Sequence, residues 1–360
     1  QDSVGRLWGQ FKAQYQPKKR DAAVIPFAEL VEQLPYPLGF KIFELLQAER
    51  RMAEGEREPQ YAFMICAVAG VLVRLSALIM VKSYASSGKS DAKVNHDVVS
   101  KLRTPSDGGW LEVAMQLGNH LRGSGISQAE GVASSLESAP KLLSVHPDEN
   151  KKLFKQIGSA KKCKVALQEI VRFRNKLLHG EVLDQQSVER ARALLQLAVR
   201  SFSWLSDYHL LVNHGGMVWS LSSYMPQTLD LSVELPPDEP ILMHKNDNDK
   251  RLSLSPLLYF KSGTKDTDFV VDFDELYFLN AGSLERLSYI GYRAIQQIDG
   301  KSLGSYDAFK AFMAQIPTPP IPKNPKIDFS GFAEFHSRLF VGRQQLLSEI
   351  QRAVEDGGSQ

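Results

Sequence analysis

Residues 61–81 constrain the fold most, because they contain a single charged side chain, Arg74. An apolar run of this length approaches what is needed to cross a membrane. An arginine near its middle would cost about 2.5–3.5 kcal/mol on insertion. Several alanines and a glycine in the run suit close packing between helices of a soluble bundle. We therefore expect a buried bundle helix. The less favoured alternative is a sensor tethered to a membrane by this segment.

The first 213 residues carry apolar side chains at three- and four-residue spacing, which predicts helices. Ser106 or Asp107 can cap one helix start, and Gly180 suits a helix end because glycine tolerates a left-handed backbone. Two polar, Ser- and Gly-containing stretches, 83–101 and 123–143, are expected to be loops or insertions. The expected helices are 40–51, 61–84, 110–121, 151–178 and 186–212.

From about residue 214 the pattern changes to short runs rich in aromatic and β-branched residues, separated by turn-forming clusters. This predicts an α+β protein, a predominantly helical bundle over residues 1–213 followed by a small antiparallel β module over 214–300. Residues 301–335 are expected to form a short helix, 305–315, and a Pro-rich linker. The expected strand runs are 217–221, 256–260, 269–273 and 276–279, and Asn246–Asp249, Ser262-Gly263 and Asn280–Gly282 are the expected turns.

Composition excludes several classes of protein. Lys and Arg number 43 against 41 Asp and Glu, a formal charge of +2, which argues against a dedicated polybasic nucleic-acid binder. Two cysteines, Cys66 and Cys163, are too few for a disulfide scaffold or a CxxC-type zinc site. We expect a reducing, cytoplasmic location, because the polar first twenty residues lack the apolar core of a signal peptide.

No cofactor or metal site is predicted. The histidines are scattered without the repeated spacing that builds a metal site, and His209 and His214, placed near a helix end, are expected to be structural. Gly88-Lys89-Ser90 resembles part of a phosphate-binding loop, but position 83 is Ser where that motif needs glycine. Aromatic residues around Trp204 are spaced like a packing face.

Residues 170–180 hold the most informative pattern. At 100° per residue, Arg174 falls inside the apolar stripe of the expected helix, whereas Asn175 and His179 fall on the other side. An unpaired buried charge costs several kcal/mol. We therefore expect Arg174 either to meet a carboxylate or to face a cleft or a partner subunit.

The Arg174-Asn175-x-x-x-His179-Gly180 arrangement resembles that of the HEPN family of small helical domains. The resemblance implies a metal-independent RNase site at the two-fold interface of a homodimer, with an RNA substrate. His179 would be the general acid/base, Arg174 would stabilise charge on the phosphate, and Asn175 would orient the pair. The structural alternative makes Arg174 a paired core arginine and His179 a helix cap favoured by the dipole.

Residues 340–346, Phe-Val-Gly-Arg-Gln-Gln-Leu, resemble the segment that precedes the phosphate loop in STAND-class signalling ATPases. The resemblance implies that 336–360 is the opening helix of a truncated ATPase domain in cis. It implies that this piece alone has no ATPase activity, and that the preceding residues are an effector or sensor in bacterial defence or signalling.

Two functional hypotheses compete. The first is a dimeric HEPN-like RNase, controlled by a downstream ATPase, with Arg174, Asn175 and His179 as catalytic residues. The alternative is a non-catalytic module for protein interaction or dimerisation.

Overall fold

The apolar run lies inside a 26-residue helix, Tyr61–Ser86, at the centre of the computed structural model. Among the described residues it is the one helix long and apolar enough to cross a membrane, and 72% of its most apolar 18-residue window is buried inside the fold. The helix contacts other helices on several sides and also touches the β region. This burial favours a core helix, as predicted.

The structure describes residues 31–53, 60–103, 106–138, 157–181 (without 159 and 161), 184–221, 227–261 (without 232), 276–282, 287–291, 297–301 and 303–316. The helical part comes first along the chain, as the apolar spacing predicts. Its helices are α1 (Tyr36–Ala53), α2 (Tyr61–Ser86), α3 (Ala92–Arg103), α4 (Asp107–His120), α5 (Ser127–Glu137), α6 (Cys163–Leu178) and α7 (Gln185–Ser201).

Two antiparallel sheets follow, which confirms the α+β class. The first has the order β3-β2-β1-β4-β5, the second the order β6-β7-β8-β9, and a last helix, α8 (Tyr306–Ala314), comes after them. The strands are β1 (Tyr208–His214), β2 (Met217–Ser220), β3 (Gln227–Leu229), β4 (Ile241–His244), β5 (Asp247–Ser253), β6 (Leu258–Phe260), β7 (Leu276–Gly282), β8 (Leu287–Gly291) and β9 (Gln297–Asp299).

The helices and both sheets share one continuous hydrophobic core. Two polar contacts support this junction. The backbone N–H of Tyr36 donates to the carbonyl of Leu221 over 2.7 Å. The ammonium of Lys82, near the end of α2, donates to the carbonyl of Ser255 and lies 5.1 Å from the centre of the Phe312 ring. Burial lowers the pKa of Lys82. The division at residues 213 and 214 stays a prediction.

Several local expectations are wrong. The stretch 92–103 is the helix α3, because Val94, Val98 and Leu102 form a buried stripe at four-residue spacing among polar neighbours. The stretch 127–137 is the helix α5, whose buried side includes Val132 and Leu136 beside smaller residues. Residues 208–212 leave the helix, since a short 3-10 segment, Ser203–Asp207, ends it and β1 then pairs with β4. Asn280–Gly282 continues β7 past a bulge to pair with β8.

Several local predictions are confirmed. The Ser106 hydroxyl caps α4 by accepting from the N–H of Gly109 over 3.0 Å. Gly180 follows α6 with a left-handed φ of +76°. The expected strands 217–221 and 256–260 contain β2 and β6, the expected strand 276–279 lies within β7, and the expected short helix 305–315 contains α8. The predicted strand 269–273, the turn Ser262-Gly263, the proline cluster and the tail 336–360 lie outside the described residues.

Trp204 confirms the expected packing face and contacts the bundle closely. Its indole N–H donates to the Ser135 hydroxyl over 2.8 Å on α5. Gly131 lies one helical turn before Ser135, and a Cβ atom placed on it would lie 2.8 Å from the Trp204 ring. The absence of a side chain at Gly131 therefore allows the indole to lie against α5.

We predict that Gly131→Ala destabilises the fold although alanine favours helices. The added methyl group must displace the Trp204 ring, so we expect a net loss of about 1–2 kcal/mol of unfolding free energy. Gly108→Ala is the matched control, because its Cβ would meet Val171 at an ordinary 3.7 Å. Urea unfolding monitored by tryptophan fluorescence tests both. Equal stability of the two variants would contradict the close contact.

Candidate active site

The predicted site residue Arg174 borders a pocket of about 450 Å³ between the helical part and the second sheet. We call it the bundle–sheet pocket. Its wall combines a long side of α2 with the end of α6, the first residue of α4, and β7 and β8. Its lining residues are Lys41, Glu44, Gln60, Phe63, Met64, Cys66, Ala67, Gly70, Val71, Arg74, Asp107, Arg174, Leu178, Phe278, Ile290 and Gly291.

Asp107 is the carboxylate that Arg174 meets. The carboxylate belongs to the first residue of α4, directly after the cap residue Ser106, where the helix dipole favours negative charge. It is 7% exposed, and its Oδ2 lies 3.2 Å from Nε of Arg174. Its Oδ1 lies 3.7 Å from Nη2 of Arg74 on α2. One buried acid therefore joins three helices through two arginines.

Gly70 gives the carboxylate its space on α2. A Cβ atom at that position would lie 3.3 Å from Oδ2 of Asp107, closer than nearly all such contacts. Gly70 also lies one helical turn before Arg74, so it shares a face with this arginine. On one face of α2, Gly70 therefore leaves space for the Asp107 carboxylate and Arg74 provides a positive charge near it.

The charges in this cluster do not cancel. Arg74 and Arg174 carry two positive charges against the single carboxylate of Asp107. Desolvation by burial lowers the pKa of Arg74, while Asp107 opposes that change. The buried Nε of Arg74 has no hydrogen-bond partner among the described residues. The cluster therefore retains cationic character beside an open cavity.

The structure brings only one of the three predicted site residues to the bundle–sheet pocket. Arg174 is 35% exposed there and has Asp107 as its partner, so it both meets a carboxylate and faces a cleft. Asn175 is exposed on another side of α6. His179 is the exposed C-cap residue of α6, and it is not among the residues that line the pocket. Its position also agrees with the capping alternative.

Sequence reasoning missed two members of the cluster. The sequence marks Asp107 only as a possible helix cap and Arg74 only as an obstacle to membrane insertion. A usable signal existed, since Arg74 and Arg174 each lie in an apolar helical stripe and each requires an acid. No spacing rule connects either of them to Asp107, because the three residues lie on different helices.

Cys66 lines the same pocket but does not offer a reactive thiol. Burial raises its pKa to about 12, and the nearby Asp107 carboxylate acts in the same direction, against Arg174. A thiol with such a pKa is not ionised near neutral pH and is a poor nucleophile. Within the residues that the structure describes, no group of three or more His, Cys, Asp and Glu side chains could hold a metal ion.

The other motifs have structural surroundings. His209 and His214 belong to β1 and not to a helix end; the former contacts the Ser220 hydroxyl over 3.0 Å and the latter Asp238 over 2.6 Å. Gly88-Lys89-Ser90 is an exposed irregular segment after α2. The Lys89 ammonium donates to the carbonyl of His120 over 3.3 Å.

Comparison with protein-family models, curated proteins and solved structures finds no match to this chain. The two family resemblances therefore depend on the quoted residues alone.

We predict that Asp107→Asn destabilises the protein by about 1–3 kcal/mol, because it leaves two nearby guanidinium groups without their shared anion. The double variant Asp107→Asn/Arg74→Gln should recover part of this loss. Glu112→Gln on the same helix is the control, since its ion pair with Lys101 is exposed and should matter by less than about 1 kcal/mol. Chemical denaturation measures all three. No recovery in the double variant would contradict repulsion between the arginines.

We also predict a stability change that depends on His209. Burial lowers the pKa of this imidazole to about 4 from an ordinary value of 6.5. As pH falls, the unfolded chain therefore binds a proton at His209 before the folded chain does. The contribution of His209 to the unfolding free energy is complete above about pH 6.5 and is lost as pH falls toward 4. We expect about 1 kcal/mol at this half-buried site.

His209→Gln should reduce the slope of unfolding free energy against pH over that interval. His96→Gln, on the exposed side of α3, is the matched control and should leave the slope unchanged. Urea unfolding at a series of pH values measures both, and equal slopes in the two variants would show that His209 is not the titrating group.

Proposed function

We propose that this chain is the cytoplasmic N-terminal effector region of a larger STAND-type ATPase switch in bacterial defence or signalling. We propose further that its helical part is a HEPN-like, metal-independent RNase that acts as a homodimer. The observation that supports this most is the surplus positive charge of Arg74 and Arg174 around Asp107 at an accessible pocket. A guanidinium with an exposed side is suited to a phosphodiester oxygen.

The arrangement of Arg174 and His179 favours a site shared between two subunits. Within one chain, Arg174 borders the bundle–sheet pocket, and His179 lies at the end of α6 on a different side. Within the part of the chain that the structure describes, no residue hydrogen-bonds the His179 ring, so the imidazole is available to a second copy. In a dimer, the arginine of one subunit and the histidine of its partner would form the catalytic pair.

The proposed reaction is an intramolecular transesterification, in which the 2′-hydroxyl of the ribose attacks the adjacent phosphodiester of the RNA. His179 removes the proton of the 2′-hydroxyl, and the resulting oxygen attacks the phosphorus while the bond to the leaving oxygen breaks. A protonated histidine or water returns a proton to that leaving oxygen. Arg174 stabilises the additional negative charge on the phosphoryl oxygens, and exposed Asn175 orients the pair.

We predict that Arg174→Ala and His179→Ala each reduce RNA cleavage by about 100-fold or more, as expected when a charge stabiliser or a general base is removed. Arg172→Ala is the matched control, because Arg172 lies on the exposed side of the same helix. Arg174→Lys should restore little, since it keeps the charge but loses the forked donor geometry. Cleavage of labelled RNA by purified protein measures these effects.

A mixture of the two inactive variants tests the shared site directly. In a mixed dimer, the intact Arg174 of one subunit can meet the intact His179 of the other, so part of the activity should return. Cleavage that survives both single substitutions would reject the site. Inactive variants that do not complement each other in proven mixed dimers would reject its division between subunits.

The second function is a non-catalytic interaction or dimerisation module. Phe63 is 47% exposed and Leu178 is 57% exposed, and both lie on the wall of the same pocket. Exposed apolar side chains of this size are typical of contact surfaces. Under this alternative the wild-type protein leaves RNA uncut, whereas substitutions at Phe63 or Leu178 weaken association.

A further inference from the structure

The bundle–sheet pocket is lined by both charged and apolar side chains. The charged ones include Arg74 and Arg174 around Asp107. The apolar ones include Phe63 and Val71 from α2, with Phe278 from the second sheet. Pockets that bind small molecules usually combine an apolar wall with a few charged groups that fix orientation.

The lining of the pocket has a net charge of +1, which suits a ligand with one negative charge. Three cationic and two anionic side chains line it. Lys41 and Glu44 neutralise one another, because their charged atoms lie 2.7 Å apart. The remaining positive charge belongs to the two arginines that share Asp107.

The size of the pocket suits a small molecule. Its volume of about 450 Å³ lies within the range of about 300–1,000 Å³ found for small-molecule sites. Its walls come from both the helical part and the second sheet, so a molecule bound there would contact both.

We infer that the bundle–sheet pocket binds a small organic monoanion with an apolar body. Its carboxylate or singly charged phosphoryl group lies against the exposed sides of Arg74 and Arg174, and its apolar body lies against Phe63, Val71 and Phe278. This inference goes beyond the proposed function and does not depend on RNA cleavage, because it requires neither His179 nor a second subunit.

Two fluorescent probes of similar shape test the inference. Anilinonaphthalene sulfonate carries one negative charge on an aromatic body, and N-phenylnaphthylamine has nearly the same body without the charge. The wild-type protein should bind the charged probe at one site per chain, and about tenfold more tightly than the neutral probe. Equal affinity for the two probes would overturn the inference.

Two substitutions locate the binding. Arg74→Gln removes the surplus charge and keeps the ion pair of Arg174 with Asp107, so it should weaken the charged probe about tenfold and leave the neutral probe unchanged. Ala67→Trp fills the pocket from the exposed side of α2 and should abolish binding of both probes. Arg122→Gln, an exposed arginine outside the pocket, is the control.

The outcomes separate this inference from the RNase proposal. If Arg74→Gln and Ala67→Trp bind both probes as the wild type does, the pocket is not the site and the inference fails, whatever the RNA assay shows. If the probes bind as expected and wild-type protein leaves RNA uncut, only the RNase proposal fails. Circular dichroism confirms that each variant is folded before its affinity is compared.

Discussion

Burial of α2 is the constraint on which the rest of the structure depends. This 26-residue helix is apolar on most of its surface, so neighbours must cover it on several sides. Helices α1, α4, α6 and α7 all contact it, and the first sheet reaches it through β5. Its two interior cations lie where the helix meets other parts of the fold. Arg74 meets the acid of α4, and Lys82 joins the helix to the Ser255 carbonyl and the Phe312 ring.

The cluster of Arg74, Asp107 and Arg174 follows from this burial. A charge on a covered helix needs a nearby counter-charge, since solvent cannot screen it well. Asp107 meets this need for two arginines at once, and Gly70 leaves room for it. Sharing one acid leaves the cluster positively charged, and the adjoining cavity makes that charge accessible. A structural requirement of the core thus creates a feature suited to binding an anion.

The cluster bears differently on the two functional ideas. The ion pair between Arg174 and Asp107 gives this arginine a structural role, as the interaction-module alternative requires. Its exposed side and the surplus charge support contact with a phosphate or another anion. The separation of His179 from the pocket makes cleavage within one chain unfavourable. The RNase proposal therefore requires a second subunit. Binding of a small anion requires one chain only.

The sequence by itself determined the α+β class, the buried helix around Arg74, the cap at Ser106 and the helix end at Gly180, because apolar spacing and capping chemistry act over a few residues. It also indicated that Arg174 needs a carboxylate or a cleft. Only the tertiary structure decided that it has both, and that the acid is Asp107. Sequence spacing carries no information on which helices meet, since contacts between distant segments depend on how the whole core packs. For the same reason, the helix α5 appeared only once the chain was folded.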